Sequence, residues 1–451
     1  MFSKNIRISL LFLLISITVF KSYGIECRSM LAEYLKPIDE EFPLSWAFEA
    51  TLAGGVMTDR QILNTMALAG LDFSFDNNKH QIYIEGGVKY WYNSNPGAGK
   101  DSGGQSQGYN KFLQNLKNKV MFREAYYKYN GTELGVTVGL QSAKLGDYMM
   151  LDERMVGLKG QFALDEFNFQ ASIGTVTADF ARMANFCSTR HIYNILHARR
   201  YDFWGTRFWE TNFAGIVASY APSSNPISTK KSENQPAIDS IMEDEFDYYS
   251  ESEFQALNSN NKSSNKFLEQ LGLLFYEEFG SGFHEYKYYT GIFSQINLPL
   301  NIALKSEIVN QYIPNERTWA YLFQAENTQV WGNGDQTSLR AGIIGKIDVD
   351  DSVHFYPAFT NFFLGEIIRL DAIHIPIAYA SLKHYFAWDI RLSLKLQAIF
   401  QLEGDKSNEI DFEANLKLFR HIKLTGIFSR VQSNLLNEIY YMFRVEIRAG
   451  I

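Results

Sequence analysis

Charged side chains stand at every second position in several otherwise apolar segments of the chain. In 389–401, for example, Arg391 and Lys395 alternate with leucine residues. Side chains two residues apart lie on the same face of a β-strand, so this spacing predicts strands with one charged and one apolar face. Charges placed in this way are typical of the wall of a water-filled channel, where they select ions and polar solutes. The candidate pore-lining residues are Lys89, Lys159, Arg340, Lys346, Arg391, Lys395, Lys417, Arg444, Arg448, Glu85, Asp389 and Glu413.

The balance of these charges favours anions as solutes. The polar faces of the clearest segments carry nine basic and six acidic residues, although the whole chain has a net charge of −8. A locally cationic lumen concentrates anions by electrostatic focusing. The alternative is that the charges pair across neighbouring strands and only satisfy one another in a wet wall.

A basic segment, 178–207, is the candidate constriction loop. It contains Arg190, Arg199 and Arg200, with Tyr and Trp between them. Guanidinium groups bind carboxylate or sulfate through paired hydrogen bonds, so the loop is expected to narrow the lumen with a basic surface. The alternative is an ordinary extracellular loop that faces lipopolysaccharide phosphates. The first reading predicts that neutralising Arg199 and Arg200 lowers the anion-over-cation permeability in planar bilayers.

Two cysteines, Cys27 and Cys187, are the only ones in the chain. In an oxidising compartment two cysteines can form one disulfide, which here would tie the mature N-terminal region to the candidate constriction loop. Two unpaired thiols are the alternative. Gel mobility with and without reductant separates the two cases.

The segments that carry these residues are predicted to be the strands of a membrane barrel. Aromatic residues make up 15% of the chain, the mean hydropathy is −0.20, and the only long apolar run lies at the start. Many alternating segments exceed ten residues, which is long for a soluble sandwich and typical of a membrane barrel. Their literal count is about 19, but single-chain bacterial barrels have an even number of strands. Assigning the weakest segment, 355–370, to a loop predicts an all-β, transmembrane antiparallel β-barrel of about 18 strands (16–18) with a polar lumen.

The chain is predicted to be organised around this barrel. Residues 1–24 resemble a signal peptide, 25–43 an N-terminal arm or short helix, and 44–451 the barrel. Strand parity places the polar, partly acidic loop 222–265 on the periplasmic side, where long loops are less usual, so the parity is in question there. The long loops are expected at 94–115, 178–207, 222–265 and 351–372.

The segment 122–177 resembles the alginate-export/porin-like family of outer-membrane barrels. The resemblance rests on an Arg-Glu-Ala-Tyr strand (123–126), a hairpin, a Gly-x-Gln (139–141), an acidic-acidic-Arg step (152–154) and a Gly-x-Lys (157–159). It covers about an eighth of the chain. It implies a barrel of about this size in a Gram-negative outer membrane, passing anionic or polar solutes.

Other function classes lack support in the sequence. A net charge of −8 argues against nucleic acid as a partner, no catalytic motif is present, and neither a cofactor nor a metal is expected. The preferred hypothesis is a porin-like channel for passive diffusion of small polar, and in particular anionic, solutes. The alternative is a non-conducting or partner-dependent barrel of an export, uptake or adhesion assembly, with 222–265 as the docking segment. Outer-membrane lipid and lipopolysaccharide are the expected surroundings.

Overall fold

The computed structural model describes most of the chain from residue 35 onward. The described residues are 35–37, 43–58, 61–93, 119–145, 150–177, 212–222, 267–280, 286–314, 316–332, 334–347, 355, 362–363, 369–370, 373, 375–387, 391–404, 406–419, 421–433 and 439–451. Among them, no helix is long and apolar enough to cross a membrane.

The described chain folds into antiparallel strands that follow one another around a single sheet. The strands are Lys36–Pro37 (β1), Leu44–Met57 (β2), Gln61–Phe75 (β3), His80–Asn93 (β4), Lys119–Asn130 (β5), Leu134–Leu145 (β6), Leu151–Leu164 (β7), Phe167–Thr177 (β8), Asn212–Tyr220 (β9), Leu268–Phe279 (β10), Lys287–Leu298 (β11), Ile302–Ile313 (β12), Glu316–Val330 (β13), Gln336–Ile347 (β14), Phe362–Phe363 (β15), Arg369–Leu370 (β16), Ile377–Phe386 (β17), Arg391–Gln401 (β18), Asn408–Phe419 (β19), Ile422–Gln432 (β20) and Tyr440–Gly450 (β21).

The sheet closes on itself, because β21 pairs with β2 from Glu49–Gly450 to Met57–Met442. The sheet has 19 strands including the two-residue β1, which pairs only with the start of β2, so the closed wall has 18 strands. The predicted all-β fold and the strand number are confirmed. The part of the predicted arm that is described is extended as β1.

Alternation gives the wall two different faces. On β21, Tyr441 and Phe443 are exposed on the outer face, whereas Arg444 and Glu446 are buried on the inner face. This is the pattern of a transmembrane barrel, apolar outside and polar inside. Ile399 breaks the pattern on β18, where it lies fully buried on the inner face opposite Glu409.

The two ends of the barrel differ in their connections. At the end where β2 begins, every connection except 221–267 has five residues or fewer, and the β3–β4 turn uses Asp76, Asn77 and Asn78 at φ of 51°, 53° and 62°. Asn and Asp are the non-glycine residues that adopt this conformation most readily. We call this the short-turn end and the other the long-loop end. β9 and β10, the strands on either side of the connection 221–267, meet at the short-turn end.

The described residues of the segment 355–370 are not part of the barrel sheet, as the strand count requires. β15 and β16 pair only with each other, and Phe355 forms an isolated bridge with Ile373. β14 pairs directly with β17 across the gap.

Candidate functional site: the inner face of the barrel

Four basic residues stand side by side on the inner face near the short-turn end. Arg391 of β18 pairs with Lys417 of β19, Lys417 with Lys423 of β20, and Lys423 with Arg448 of β21. Directly opposed residues of neighbouring strands have their Cβ atoms about 4.5–5.5 Å apart. We call Arg391, Lys417, Lys423 and Arg448 the basic row.

The backbone line of the basic row continues towards the long-loop end. Arg448 pairs with Thr51, Thr51 with Met66, Met66 with Lys89, and Lys89 with Lys119. Arg391 is the first residue of β18 at the short-turn end, whereas Lys119 is the first of β5 at the long-loop end. Barrel strands tilt by about 35–45°, so a line along the pairing direction climbs the wall from one mouth to the other.

Charges of opposite sign stand next to the basic row. Glu446 accepts hydrogen bonds from both Arg444 and Arg448 on β21, with Arg444 Nη2 at 3.2 Å. Further along the wall, Lys395 Nζ lies 3.7 Å from Glu413 Oε2. Across-strand pairing, the alternative left open by the sequence, therefore occurs on this wall together with the like-charged row.

Other candidate residues also have inner-face positions. Arg340 Nη2 lies 3.6 Å from Glu326 Oε1, Lys346 pairs with Ala320, and Lys159 pairs with Ser172. Whether these residues line an open pore stays a prediction. The candidate positions that lie outside the described residues or side chains are Lys89 (side chain), Asp389, Arg190, Arg199, Arg200, Cys27 and Cys187.

A β-bulge between β4 and β5 places an extra charge inside the barrel. Glu85 pairs with Glu124, but the next residue, Gly86, pairs with Phe122, which leaves Arg123 as the additional residue. A bulge re-aims side chains, and here Arg123 and Glu124 are both buried, with Arg123 Nη1 2.8 Å from Glu85 Oε1. This explains why the sequence of β5 carries charges on both nominal faces.

The wall formed by β9, β10 and β11 is packed rather than wet at its long-loop end. The ring of Tyr276 lies 6.0 Å from Phe213 and 5.5 Å from Tyr289, and Phe355 meets Tyr289 edge-on at 5.8 Å. Phe355 belongs to the connection 348–376, so at this residue the connection packs against the inner face of the wall. All four rings are completely buried.

A buried ion pair lies next to these rings, on their long-loop side. Lys287 Nζ is 3.8 Å from Glu278 Oε2, and the hydroxyls of Tyr276 and Tyr289 each donate to the Glu278 carboxylate at 3.4 Å. Sequence reasoning missed this cluster. The only signal was the alternation of Tyr276 with Glu278 and of Lys287 with Tyr289, which indicates a shared face but not a shared partner.

Comparison with solved structures identifies similar folds. The structure of OprD from Pseudomonas aeruginosa superposes on this chain with a TM-score of 0.50 at 9% sequence identity. The superposition covers 95% of this chain and 98% of OprD. OccAB1 of Acinetobacter baumannii has a TM-score of 0.50 at 10% identity, covering 94% and 99%. OccK11 (OpdR) of P. aeruginosa has a TM-score of 0.51 at 9% identity, covering 93% and 99%. This chain shares their fold.

No protein-family model and no curated protein matches the sequence. The resemblance of 122–177 to the alginate-export family therefore has no specific support, and the likeness extends only to an outer-membrane barrel. A closed antiparallel wall with an even number of strands and an apolar outer face is the architecture of Gram-negative outer-membrane barrels. The protein is an outer-membrane β-barrel.

Proposed function

We propose that the protein is a porin-like channel for passive diffusion of small polar solutes, with a preference for anions. The observation that carries the proposal is the basic row, four cations in direct register on one inner wall. Like charges directly opposite one another destabilise a sheet. Such an arrangement favours a function for the charge over a structural role.

The row offers an anion successive contacts rather than one deep site. A channel passes a solute well when binding is strong enough for entry and weak enough for release, with several neighbouring sites. Glu446 neutralises part of the charge of Arg448, which keeps the row from holding an anion tightly. Lys417 and Lys423 are the two central members of the row.

The test is conductance and solute flux of the purified protein. We expect open, ohmic steps in planar bilayers and, in liposome swelling, faster entry of an anionic solute than of a cationic one of equal size. Lys423→Gln reduces that difference, whereas Arg430→Gln, on the outer face of β20, leaves it unchanged. Equal rates for both solutes in the unmodified protein contradict the anion preference.

A second candidate is a barrel that conducts only with a partner. The placement of the long connection 221–267 at the short-turn end favours it, because neighbouring connections there are short. Silence in bilayers, together with specific recovery of a periplasmic protein by the intact barrel but not by one with 225–262 replaced by a short Gly/Ser linker, would support this candidate over the first.

The proposal includes no catalytic activity, cofactor, metal or nucleic acid. Lipid and lipopolysaccharide surround the apolar outer face. The family resemblance of 122–177 adds no particular solute, so alginate is not proposed as the substrate.

A further inference from the structure

We infer that the inner wall of β6, β7 and β8 contains a recess that binds one anionic group, a carboxylate or a phosphate ester. The inference deepens the proposed function and rests on it, because it supplies a second, more specific contact for the same class of solute. The recess is formed by three glycines, one lysine and one serine, and it is separate from the basic row.

The floor of the recess has no side chains. Gly139 of β6 pairs with Gly157 of β7, and Gly157 with Gly174 of β8, so three glycines stand in register on the inner face. A Cβ at Gly157 would lie 2.2 Å from the Ile173 carbonyl oxygen, and one at Gly139, where φ is +129°, 2.3 Å from that of Ala125. The close approach of the strands therefore requires glycine at these positions, and the three glycines themselves contribute no side chains to the inner face.

The hydrogen-bond donors of the recess, Lys159 and Ser172, lie at its edge on the short-turn side. Two residues along each strand from the glycines, Lys159 pairs with Thr137 on one side and with Ser172 on the other. Among the described residues, Lys159 has no ion-pair or hydrogen-bond partner. The Ser172 hydroxyl also has none, although Ser172 is only 3% exposed.

These two side chains together form a donor site without an acceptor. An ammonium has donors only, and a serine hydroxyl can donate one further hydrogen bond. Buried polar groups in proteins are nearly always hydrogen-bonded, so a buried hydroxyl beside an unpaired cation indicates a ligand that accepts from both. An anionic oxygen is such a ligand, and charge-assisted hydrogen bonds are the stronger kind.

The surroundings limit the ligand to a small headgroup. Gln141 closes the recess on the β6 side, where its Nε2 donates to the carbonyl oxygens of Thr137 at 3.1 Å and Gly157 at 3.2 Å. Lys128, across Thr137 from Lys159, adds a second positive charge nearby. Gln141 and Met155 lie over part of the glycine floor, since Met155 Sδ would be 3.3 Å from a Cβ at Gly174, so the part left beside Lys159 and Ser172 suits a small group only.

The recess and the basic row lie on different parts of the wall. β2 to β5 separate β6–β8 from β21, where the row ends. A solute that crosses the barrel therefore meets the row and the recess at separate places on the wall. The two sites can be tested independently.

The test is protection of Lys159 from chemical modification in the folded, detergent-solubilised protein. A water-soluble acylating reagent modifies accessible lysines, and peptide mass spectrometry follows the rate at Lys159. With acetate or inorganic phosphate at an ionic strength matched by chloride, we expect the rate at Lys159 to fall by roughly threefold or more, as for a contact of modest strength. Lys305, on the inner face of β12, serves as the control and keeps its rate.

Ser172→Ala tests whether the serine hydroxyl takes part in anion binding. This variant is expected to weaken the protection of Lys159 while the heat stability of the barrel is retained, and Ser172→Thr, which keeps the hydroxyl, restores it. Protection by acetate alone identifies a carboxylate site, and protection by phosphate alone identifies a phosphate site. An unchanged rate at Lys159 with both probes overturns the inference.

The readout does not depend on conductance. Protected Lys159 in a protein that is silent in bilayers would leave the recess standing and refute the proposed channel function. Unprotected Lys159 in an anion-preferring channel would refute the recess alone.

Discussion

The wall formed by β18 to β21 and the wall formed by β9 to β11 use charge in opposite ways. On the first, like charges stand in a row with acidic residues beside them. On the second, the buried ion pair of Glu278 with Lys287 lies beside buried rings, one of which, Tyr289, packs against Phe355 from a connecting loop. The first arrangement concentrates positive charge on the inner face, whereas the second packs Phe355 from a connecting loop against it.

The difference teaches which property each charge controls. A charge in a row of like charges is repelled by its neighbours, so its removal relieves repulsion and changes ion selectivity more than stability. A charge in a packed wall has lost its water, so its removal leaves an uncompensated partner and changes stability more than selectivity. The following changes would break or sharpen this contrast.

The largest effect is expected from Glu278→Gln. It removes the carboxylate that faces the buried Lys287 ammonium, and loss of one partner of a buried ion pair typically costs about 3–5 kcal/mol. The barrel should unfold at a distinctly lower temperature in a heat-modifiability gel, with little change in ion preference.

Two variants control this prediction. Glu278→Gln combined with Lys287→Met should cost less than the single change, because no buried charge is left alone. Glu326→Gln, in the more accessible pair with Arg340, should cost about 1 kcal/mol or less. Equal losses for Glu278 and Glu326 would remove the distinction between the two walls.

A smaller effect on stability, and a visible one on conductance, is expected from Phe355→Ala. Truncation removes the ring that packs on Tyr289. Because this ring comes from a connecting loop rather than from a strand of the wall, the cost should stay below the range of about 3–5 kcal/mol for Phe→Ala changes in packed sites. Since the loss falls on loop docking, single-channel conductance should rise and become noisier. Unchanged conductance, with the loop still protected from protease, would show that Phe355 does not hold the loop in the lumen.

The smallest effect on stability is expected from Lys423→Gln in the basic row. Relief of repulsion from Lys417 and Arg448 offsets the loss of other contacts, so stability should change by about 0.5 kcal/mol or less. Urea-induced unfolding of the variant in detergent checks this value. A loss comparable to that of Glu278→Gln would mean that the row is structural.

Raising the salt concentration should affect the two walls differently. The screening length falls from about 10 Å at 0.1 M to about 3 Å at 1 M salt, so anion preference should weaken as salt rises. The heat stability contributed by the buried pair should remain. Anion preference that is independent of salt concentration would contradict an electrostatic origin in the basic row.

Much of the wall could be predicted from alternation alone. The strand number follows from excluding 355–370, which has no two-residue pattern, and the inner position of Ile399 was visible as an exception within β18. β5 was ambiguous because a bulge adds one residue, and a one-residue shift exchanges the two faces of a strand. Arg123 is that residue.

The candidate sites were less accessible to sequence reasoning. Alternation places Arg391 and Lys417 on polar faces, but only the register shows that they are direct neighbours. The contact between Phe355 and Tyr289 joins distant parts of the chain, and periodicity carries no information about it. The sequence-based constriction loop, 178–207, lies outside the described residues, whereas Phe355 of the connection 348–376 packs on the inner face.

The most direct test of the account is the reversal potential of the purified protein in a planar bilayer across a potassium chloride gradient. For the unmodified protein the account predicts a reversal potential displaced from zero towards the equilibrium potential of chloride. For Lys417→Gln combined with Lys423→Gln it predicts a reversal potential closer to zero. A cation-selective channel, or an anion-selective one whose potential is unchanged by the double substitution, would contradict the role assigned to the basic row.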